Sequence, residues 1–190
     1  MFYFEEKLQK IIYFSSASIL EKGNTISIAA KEKGTSYIQS KYLIYKQIQN
    51  HPLKDKIHTI FPTLVFGGDD KHPYSHISTG IKDAKAYLKI LRWLNLDLIF
   101  HFCHAKDIAS VCCSLLEIKK KSTDIVIGSK ALNAKESIQT LCKVFNITVW
   151  FQIPIPTWLV FLITKILRLK LHPWDKHCIK NPHFHYTVHS

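Results

Sequence analysis

Glycine is scarce in this sequence of 190 residues, with six in all. None of them falls into a GxGxxG, GxxGxxG or GK[ST] pattern. That excludes the glycine-rich cradle in which backbone N–H groups meet a phosphate at a helix N-terminus. Arginine is nearly missing as well: only Arg92 and Arg168 accompany the lysines, although the formal net charge is +12. Nucleic-acid readers rely on arginine's planar, bidentate fork. The lysines here are scattered, with one run at Lys119, Lys120 and Lys121, so they read as a solvated surface and no nucleic-acid partner is expected. There is no C-x-x-C and no H-E-x-x-H, so no metal site is expected despite a late cluster of His172, His177, His183, His185 and His189. His101, Cys103 and His104 alternate across a strand end and cannot all face one ion.

The five cysteines (Cys103, Cys112, Cys113, Cys142, Cys178) are odd in number and sit mostly in apolar stretches. They suit buried free thiols in a reducing cytoplasm better than a disulfide framework. No signal peptide is read at the start, where Met1 to Lys10 is amphipathic and carries Glu5 and Glu6. The greasiest region, 149–171, is interrupted by Pro154, Pro156, Lys165 and Arg168, short of the ~18 to 20 clean apolar residues that a membrane span needs. With 47% apolar and 21% charged residues, the chain is expected to be globular, with a real core.

Strands and helices alternate along it. Residues 11–15 read as a short buried strand after a helix end, followed by a connection rich in Gly, Asn, Thr and Ser to about Ser36. A helix is expected from there to about Asn50, stopped by Pro52, and then a strand "KIHTIFP" closed by Pro62. The turn-rich "LVFGGDDKHPYSH" is expected to be a loop near a ligand, where Asp69 and Asp70 read first as turn chemistry. Next come a helix over 80–95, a strand "LDLIFHFCH", a helix "AKDIASVCCSLLEIKK", a strand "DIVIG" and a helix "NAKESIQTLCKVFN". This alternation argues for an α/β fold with a parallel sheet.

The chemistry-bearing stretches are "YFSSAS" at a strand end, "SYIQSK" on a helix, "IFPTLVFG" after a strand, "HAKDIA" and "IVIGS". Tyr37 and Lys41 stand four apart, on one face of their helix. In this order the stretches resemble the extended short-chain dehydrogenase/reductases, the NAD-dependent epimerase/dehydratase family, from about Ile11 to Asn146. The family places a Ser-Ser strand before Tyr-x-x-x-Lys, then Arg-Pro-x-x-Val-Tyr-Gly, His-Val-Asp-Asp-Val-Ala and Tyr-Asn-Ile-Gly. The resemblance implies that Ser16 hydrogen-bonds the substrate oxygen and that Tyr37 is the proton donor or acceptor. Lys41 would be its cationic partner and would hold the nicotinamide ribose; Pro62 to Val65 would lie along the nicotinamide. Asp107 would start the helix after "HAKD". The physical chemistry agrees: a free tyrosine titrates near ~10, and a neighbouring cation favours the phenolate of any such residue. A serine hydroxyl aimed at a developing alkoxide adds electrostatic stabilisation.

Several positions depart from the family's pattern. Ile19, Leu20 and Glu21 replace Val-Tyr-Gly, Ile38 replaces the small residue after the tyrosine, Phe61 the arginine, and Lys106 the first aspartate. Family members also carry a glycine-rich nucleotide-binding half ahead of the Ser-Ser strand, and this sequence resembles only their second half. The expected fold is therefore α/β: an incomplete Rossmann-like parallel sheet of the last three strands, near 11–15, 57–61 and 124–127, with a small C-terminal α/β substrate lobe. The first of those strands would expose an unpaired edge and an apolar flank. Residues 1–62 with 120–146 would form the remnant of the NAD(P)-binding domain; 63–119 and 147–190 would form the substrate lobe and tail.

The implied activity is that of an NAD(P)-dependent oxidoreductase acting on a nucleotide sugar, sterol or other small carbonyl or alcohol compound. NAD or NADP would bind only with the missing half supplied, for example as a separately encoded N-terminal half, and the chain alone is expected to be inactive. The alternative is a non-catalytic relic or partner-binding fragment; a peripheral membrane protein is the third reading. Homodimerisation stays open. The segment "TWLVFLITKILRLKL" is expected to be a core helix, or one packing on the missing half, in preference to a membrane-surface helix. The last residues are expected to pack on the domain as a polar, aromatic tail.

Overall fold

A computed structural model describes residues 8–67, 88–119, 121–166, 168 and 170–189. Its strands in chain order are β1 (Ile11–Phe14), β2 (Ile57–Pro62), β3 (Leu64–Phe66), β4 (Leu94–Leu96), β5 (Ile99–Phe100), β6 (Phe102–His104), β7 (Asp124–Ile127), β8 (Leu132–Asn133) and β9 (Ile153–Ile155). The helices are α1 (Ile28–Lys33), α2 (Ser36–Gln49), α3 (Ala105–Glu117), α4 (Ala134–Val144), α5 (Thr157–Ile166) and α6 (Pro173–Lys180).

The largest sheet has the order β1–β2–β7, parallel throughout. Ile11 lies opposite Ile57 and Phe14 opposite Ile60; Thr59 lies opposite Asp124 and Pro62 opposite Ile127. These are the three strands expected from the sequence. Side chains alternate between the two faces, as a period of two demands. Phe61 and Val126 face α2 and pack with Ile38, Tyr42 and Tyr45. Ile60 and Ile127 point to the other face, against Leu115, Ile108 and Val111 of α3. A helix covers each face, which is how parallel sheets are normally buried. Helix α3, within the 63–119 assigned to the substrate lobe, thus packs on the sheet itself. Among the described residues β1 pairs only with β2, and Phe14 at its end is 45% exposed.

Local chemistry sets the helix starts. Thr35 caps α2, its Oγ1 accepting from Ile38 N–H at 3.4 Å. Before it, Gly34 runs so close to α1 that a β-carbon there would stand 2.2 Å from the Ala30 carbonyl oxygen. At α3, His104 Nδ1 accepts from Lys106 N–H, and the Asp107 carboxylate accepts from His104 N–H, a reciprocal capping box. The helix thus begins at Ala105, two residues before the Asp107 expected to start it, and Asp107 completes the cap from within the first turn. The Lys10 ammonium closes the far end of α3, donating to the Leu115 and Leu116 carbonyls at 2.8 and 2.7 Å and to that of Ile118. A cation at a helix C-terminus is favourable both as a donor and against the helix dipole.

Three expectations need correction. The connection from 16 to 36 is not irregular: it holds 3₁₀ turns at Ala17–Ile19 and Lys22–Asn24, then α1. Ala30 of α1 is fully buried and Trp174 of α6 packs against its cluster, so tertiary contact overrides the loop-like composition. The single strand "LDLIFHFCH" is three short ones, which pair with β9, β8 and β3 respectively. A tight turn, Leu98 N–H to the Leu96 carbonyl at 2.9 Å, separates the first two. Of the helix expected over 80–95, residues 88–91 are helical and 94–96 already form β4. The "GGDDKHPYSH" stretch, with Asp69 and Asp70, lies outside the described residues apart from Gly67.

α5 is not a core helix, one of the two readings given for it; the other, packing on a nucleotide-binding portion, is compatible with its exposure. None of its residues is buried, whereas a core helix would be covered on at least one stripe. Among the described residues no helix is long and apolar enough to cross a membrane. The tail does pack on the domain: Tyr186 and Val188 join the cluster under α2. Asn24 and Thr187 exchange two hydrogen bonds, at 2.8 and 3.1 Å, and His189 N–H donates to the Val126 carbonyl at 2.9 Å.

His58 on β2 is 1% exposed and its Nδ1 has no hydrogen-bond partner. Burial, and then the Lys10 charge, push its pKa below the ordinary 6.5. The folded state therefore binds that proton less readily than the unfolded chain. The stability His58 contributes is complete above pH 6.5, fades as pH falls below it, and is lost once pH passes the lower folded value. His177, also lowered by burial, acts in the same sense. Thermal melts from pH 8 to 5 should show Tm falling on the acid side, less steeply for His58→Leu; parallel profiles for the two proteins would refute this assignment.

Candidate functional site

Strand β1 delivers its chemistry at its C-terminal end, the usual location for ligand sites in parallel sheets. Ser15 is buried, its N–H bound to the Ile60 carbonyl at 2.8 Å, which carries the sheet register one residue past the strand. Ser16 then caps the first 3₁₀ turn: its Oγ accepts from Ser18 N–H at 3.3 Å and lies 2.8 Å from Ser18 Oγ.

Helix α2 brings Tyr37 and Lys41 to the same strand end. The Lys41 ammonium donates to the Phe14 carbonyl at 2.7 Å, tying the helix to the last residue of β1. It also lies 5.7 Å from the centroid of the Tyr37 ring and 5.3 Å from that of Tyr13. Both distances are within the range of cation–π attraction. Tyr37 is 55% exposed, so its phenol remains open to a ligand.

Tyr13 is a participant that the sequence did not single out. Burial raises its pKa, the Ser15 hydroxyl nearby opposes that rise, and the neighbouring Tyr37 adds to it. Yet the Tyr13 and Ser15 hydroxyls are both buried without a hydrogen bond of good geometry. The signal for Tyr13 was available: two residues before Ser15 on a strand, it must share that residue's face.

Ser16 and Pro62 line a cavity of about 260 Å³. Its walls also include Leu64, His101, Cys178, Phe184 and Tyr186; neither Tyr37 nor Lys41 is among its described lining residues. Val65 turns the other way. It pairs with Cys103 across β3 and β6 and packs in the cluster beneath α3, while its neighbour Leu64 meets the cavity.

The cavity's far wall comes from the tail. Burial, reinforced by Asp175, pushes the Cys178 thiol up to about 11, and burial also raises Tyr186. Neither is a nucleophile or base at neutral pH. His101 is held on both sides, Nδ1 2.9 Å from the Ser129 carbonyl and Nε2 accepting from Tyr186 N–H at 3.4 Å. No sequence signal linked positions 178–186 to Ser16, because only tertiary packing joins them. Among the described residues no group of three His, Cys, Asp or Glu side chains could hold a metal ion.

A family model described as the NAD dependent epimerase/dehydratase family matches residues 3–128. No curated protein sequence matches the chain. Among solved structures, that of gox2253 has a TM-score of 0.67 at 16% identity, over 95% of this chain and 58% of that one. A nucleoside-diphosphate-sugar epimerase from Pseudomonas aeruginosa gives 0.60 at 11% identity, over 86% and 55%. The dTDP-4-dehydrorhamnose reductase of Bacillus anthracis, solved with NADP, gives 0.54 at 13%, over 91% and 63%. At these identities the likeness concerns the Rossmann-like fold, and the chain spans only 55 to 63% of the length of these three proteins.

Proposed function

Because the chain belongs to the NAD dependent epimerase/dehydratase family, we propose that it forms the catalytic portion of an NAD(P)-dependent oxidoreductase. The substrate would be a small carbonyl or alcohol compound of the nucleotide-sugar or sterol kind. The observation that best supports this is the Lys41 ammonium, anchored on the Phe14 carbonyl between the rings of Tyr13 and Tyr37. A lysine side chain fixed by a hydrogen bond to strand β1 stands beside an exposed phenol.

In this reading Tyr37 gives a proton to the substrate oxygen during reduction and takes it back during oxidation. Lys41 stabilises negative charge on that phenol, and the Ser16 hydroxyl donates to the oxygen as charge builds on it. Tyr37, Lys41 and the 62–65 segment would hold the nicotinamide end of NAD or NADP, with Pro62 at the cavity and Val65 as backbone and packing support. The donor set fits such a group: an ammonium beside an exposed phenol at the end of β1 suits a ribose edge. Bound NAD(P) supplies the hydride acceptor or donor. The sequence contains no glycine-rich turn for the pyrophosphate, so turnover requires a nucleotide-binding portion, which a separately encoded N-terminal half would provide. The division into a nucleotide-binding remnant (1–62 with 120–146) and a substrate lobe with tail belongs to the same proposal.

Titration calorimetry with NADH and NADPH tests the reading. The chain complemented with a glycine-rich nucleotide-binding portion should bind one of them, and Lys41→Met should weaken that binding by about tenfold, a loss expected for a charged hydrogen bond. Unchanged affinity in Lys41→Met would remove Lys41 from the site. A folded, complemented protein that binds neither nucleotide would favour the alternative, a non-catalytic, partner-binding fragment.

A further inference from the structure

Large apolar side chains stand in water along 150–166. Trp150 is 81% exposed, Trp158 66% and Ile166 69%, with Leu162 and Phe151 also exposed. On α5, Trp158, Leu162 and Ile166 follow at intervals of four and so form one stripe. Single exposed hydrophobics are ordinary on a protein surface, but a stripe of this kind is not.

Charge around the stripe identifies what would cover it. From Ser137 to Trp174 the sequence contains no Asp and no Glu, while Lys143, Lys165, Arg168 and Lys170 fall in the same interval. Lys165, Arg168 and Lys170 are exposed. Asp97 lines a groove with Thr157 and Val160, off the stripe, and is paired with His183. An apolar stripe bearing tryptophan and followed by exposed cations complements an anionic bilayer surface. The indole sits at headgroup level, the aliphatic groups enter the acyl boundary, and the long basic side chains reach back to lipid phosphates. The length agrees: ten helical residues span about 15 Å at the usual rise, enough to lie in an interface and too short to cross it.

We propose that α5 and the basic residues after it form a peripheral docking surface for membranes rich in anionic phospholipid. The inference stands apart from the redox reading, since none of these residues lies in the Ser16, Tyr37 and Lys41 site.

Flotation of the full chain with vesicles of 70:30 phosphatidylcholine and phosphatidylserine tests it. Binding should be strong at low salt, weak at 0.5 M NaCl, and absent with pure phosphatidylcholine. Leu162→Glu with Ile166→Glu, both at exposed sites, should reduce the bound fraction about tenfold while circular dichroism and Tm stay unchanged. Lys165→Glu with Lys170→Glu should do the same and leave the apolar stripe intact. No flotation at low salt would overturn the proposal. So would size-exclusion showing that the stripe buries itself between two copies, with the Leu162→Glu, Ile166→Glu variant turning monomeric. Equal binding to neutral vesicles would overturn the charge argument on which the choice of partner rests.

Discussion

Tyr37→Phe in the complemented enzyme is expected to lower single-turnover oxidation of NAD(P)H by about 10²- to 10⁴-fold, the usual contribution of a positioned acid or base. Only an oxygen atom is removed, from a ring that is 55% exposed. The ring that faces the Lys41 ammonium is retained, so the fold and the Lys41–Phe14 hydrogen bond should survive. Tm should change by little, and nucleotide binding should weaken far less than turnover. That split separates a proton-transfer role from a structural one: a residue acting only as packing would lose stability and rate together. Turnover within twofold of the parent would sink the assignment. Tyr13→Phe is the informative companion. Its hydroxyl is buried without a partner, so removing it should leave stability unchanged or slightly improved, since an unsatisfied buried group carries a desolvation cost.

The largest loss of stability is expected from Phe61→Ala, about 3–5 kcal/mol for a large core aromatic replaced by alanine. Phe61 is 2% exposed in the central strand of the sheet. It meets Tyr45 edge-on, with ring centroids 5.3 Å apart and planes at 66°. Tyr45 in turn binds the Asp124 carboxylate at 2.5 Å through its hydroxyl, joining α2 to β7. Burial and that hydrogen bond raise the Tyr45 pKa, so the phenol stays protonated and keeps donating. Emptying the Phe61 site therefore loosens the layer that carries Tyr37 and Lys41. For a chain of this size the loss corresponds to roughly 6–20 °C in Tm. Phe61→Leu should cost much less, and a melt showing equal effects for the two would contradict the cavity argument.

Phe61 also shows how a departure from the family's pattern turns out in three dimensions. Where the resemblance leads one to expect arginine, the chain has an aromatic ring that completes the core between β2 and α2. Ile38, in place of a small residue, likewise enters that core. Both apolar side chains share the core cluster under the helix that presents Tyr37 and Lys41, which the Lys41–Phe14 and Tyr45–Asp124 hydrogen bonds also hold.

Much of the site was legible in residue order. Periodicity and caps located β1, β2, β7, α2, α3 and α4, because each is a local pattern: alternation for strands, a capping side chain and a 3.6-residue repeat for helices. The spacing of Tyr37 and Lys41 alone puts them on one helix face, and the serine pair marks the strand end. Spacing could not disclose that the Lys41 ammonium would bind the Phe14 carbonyl, or that Tyr13 would form its second ring. Those contacts join residues 27 or 28 positions apart, and only docking of α2 on the sheet creates them. The same limit applies to the cavity, whose wall comes from both Ser16 and Tyr186. It applies to α5 most of all: the sequence made it apolar, but whether apolar means buried depends on what else reaches that surface. Composition and local pattern determined the parallel α/β frame and its chemical groups; tertiary packing decided which groups meet and which apolar face stays open to water.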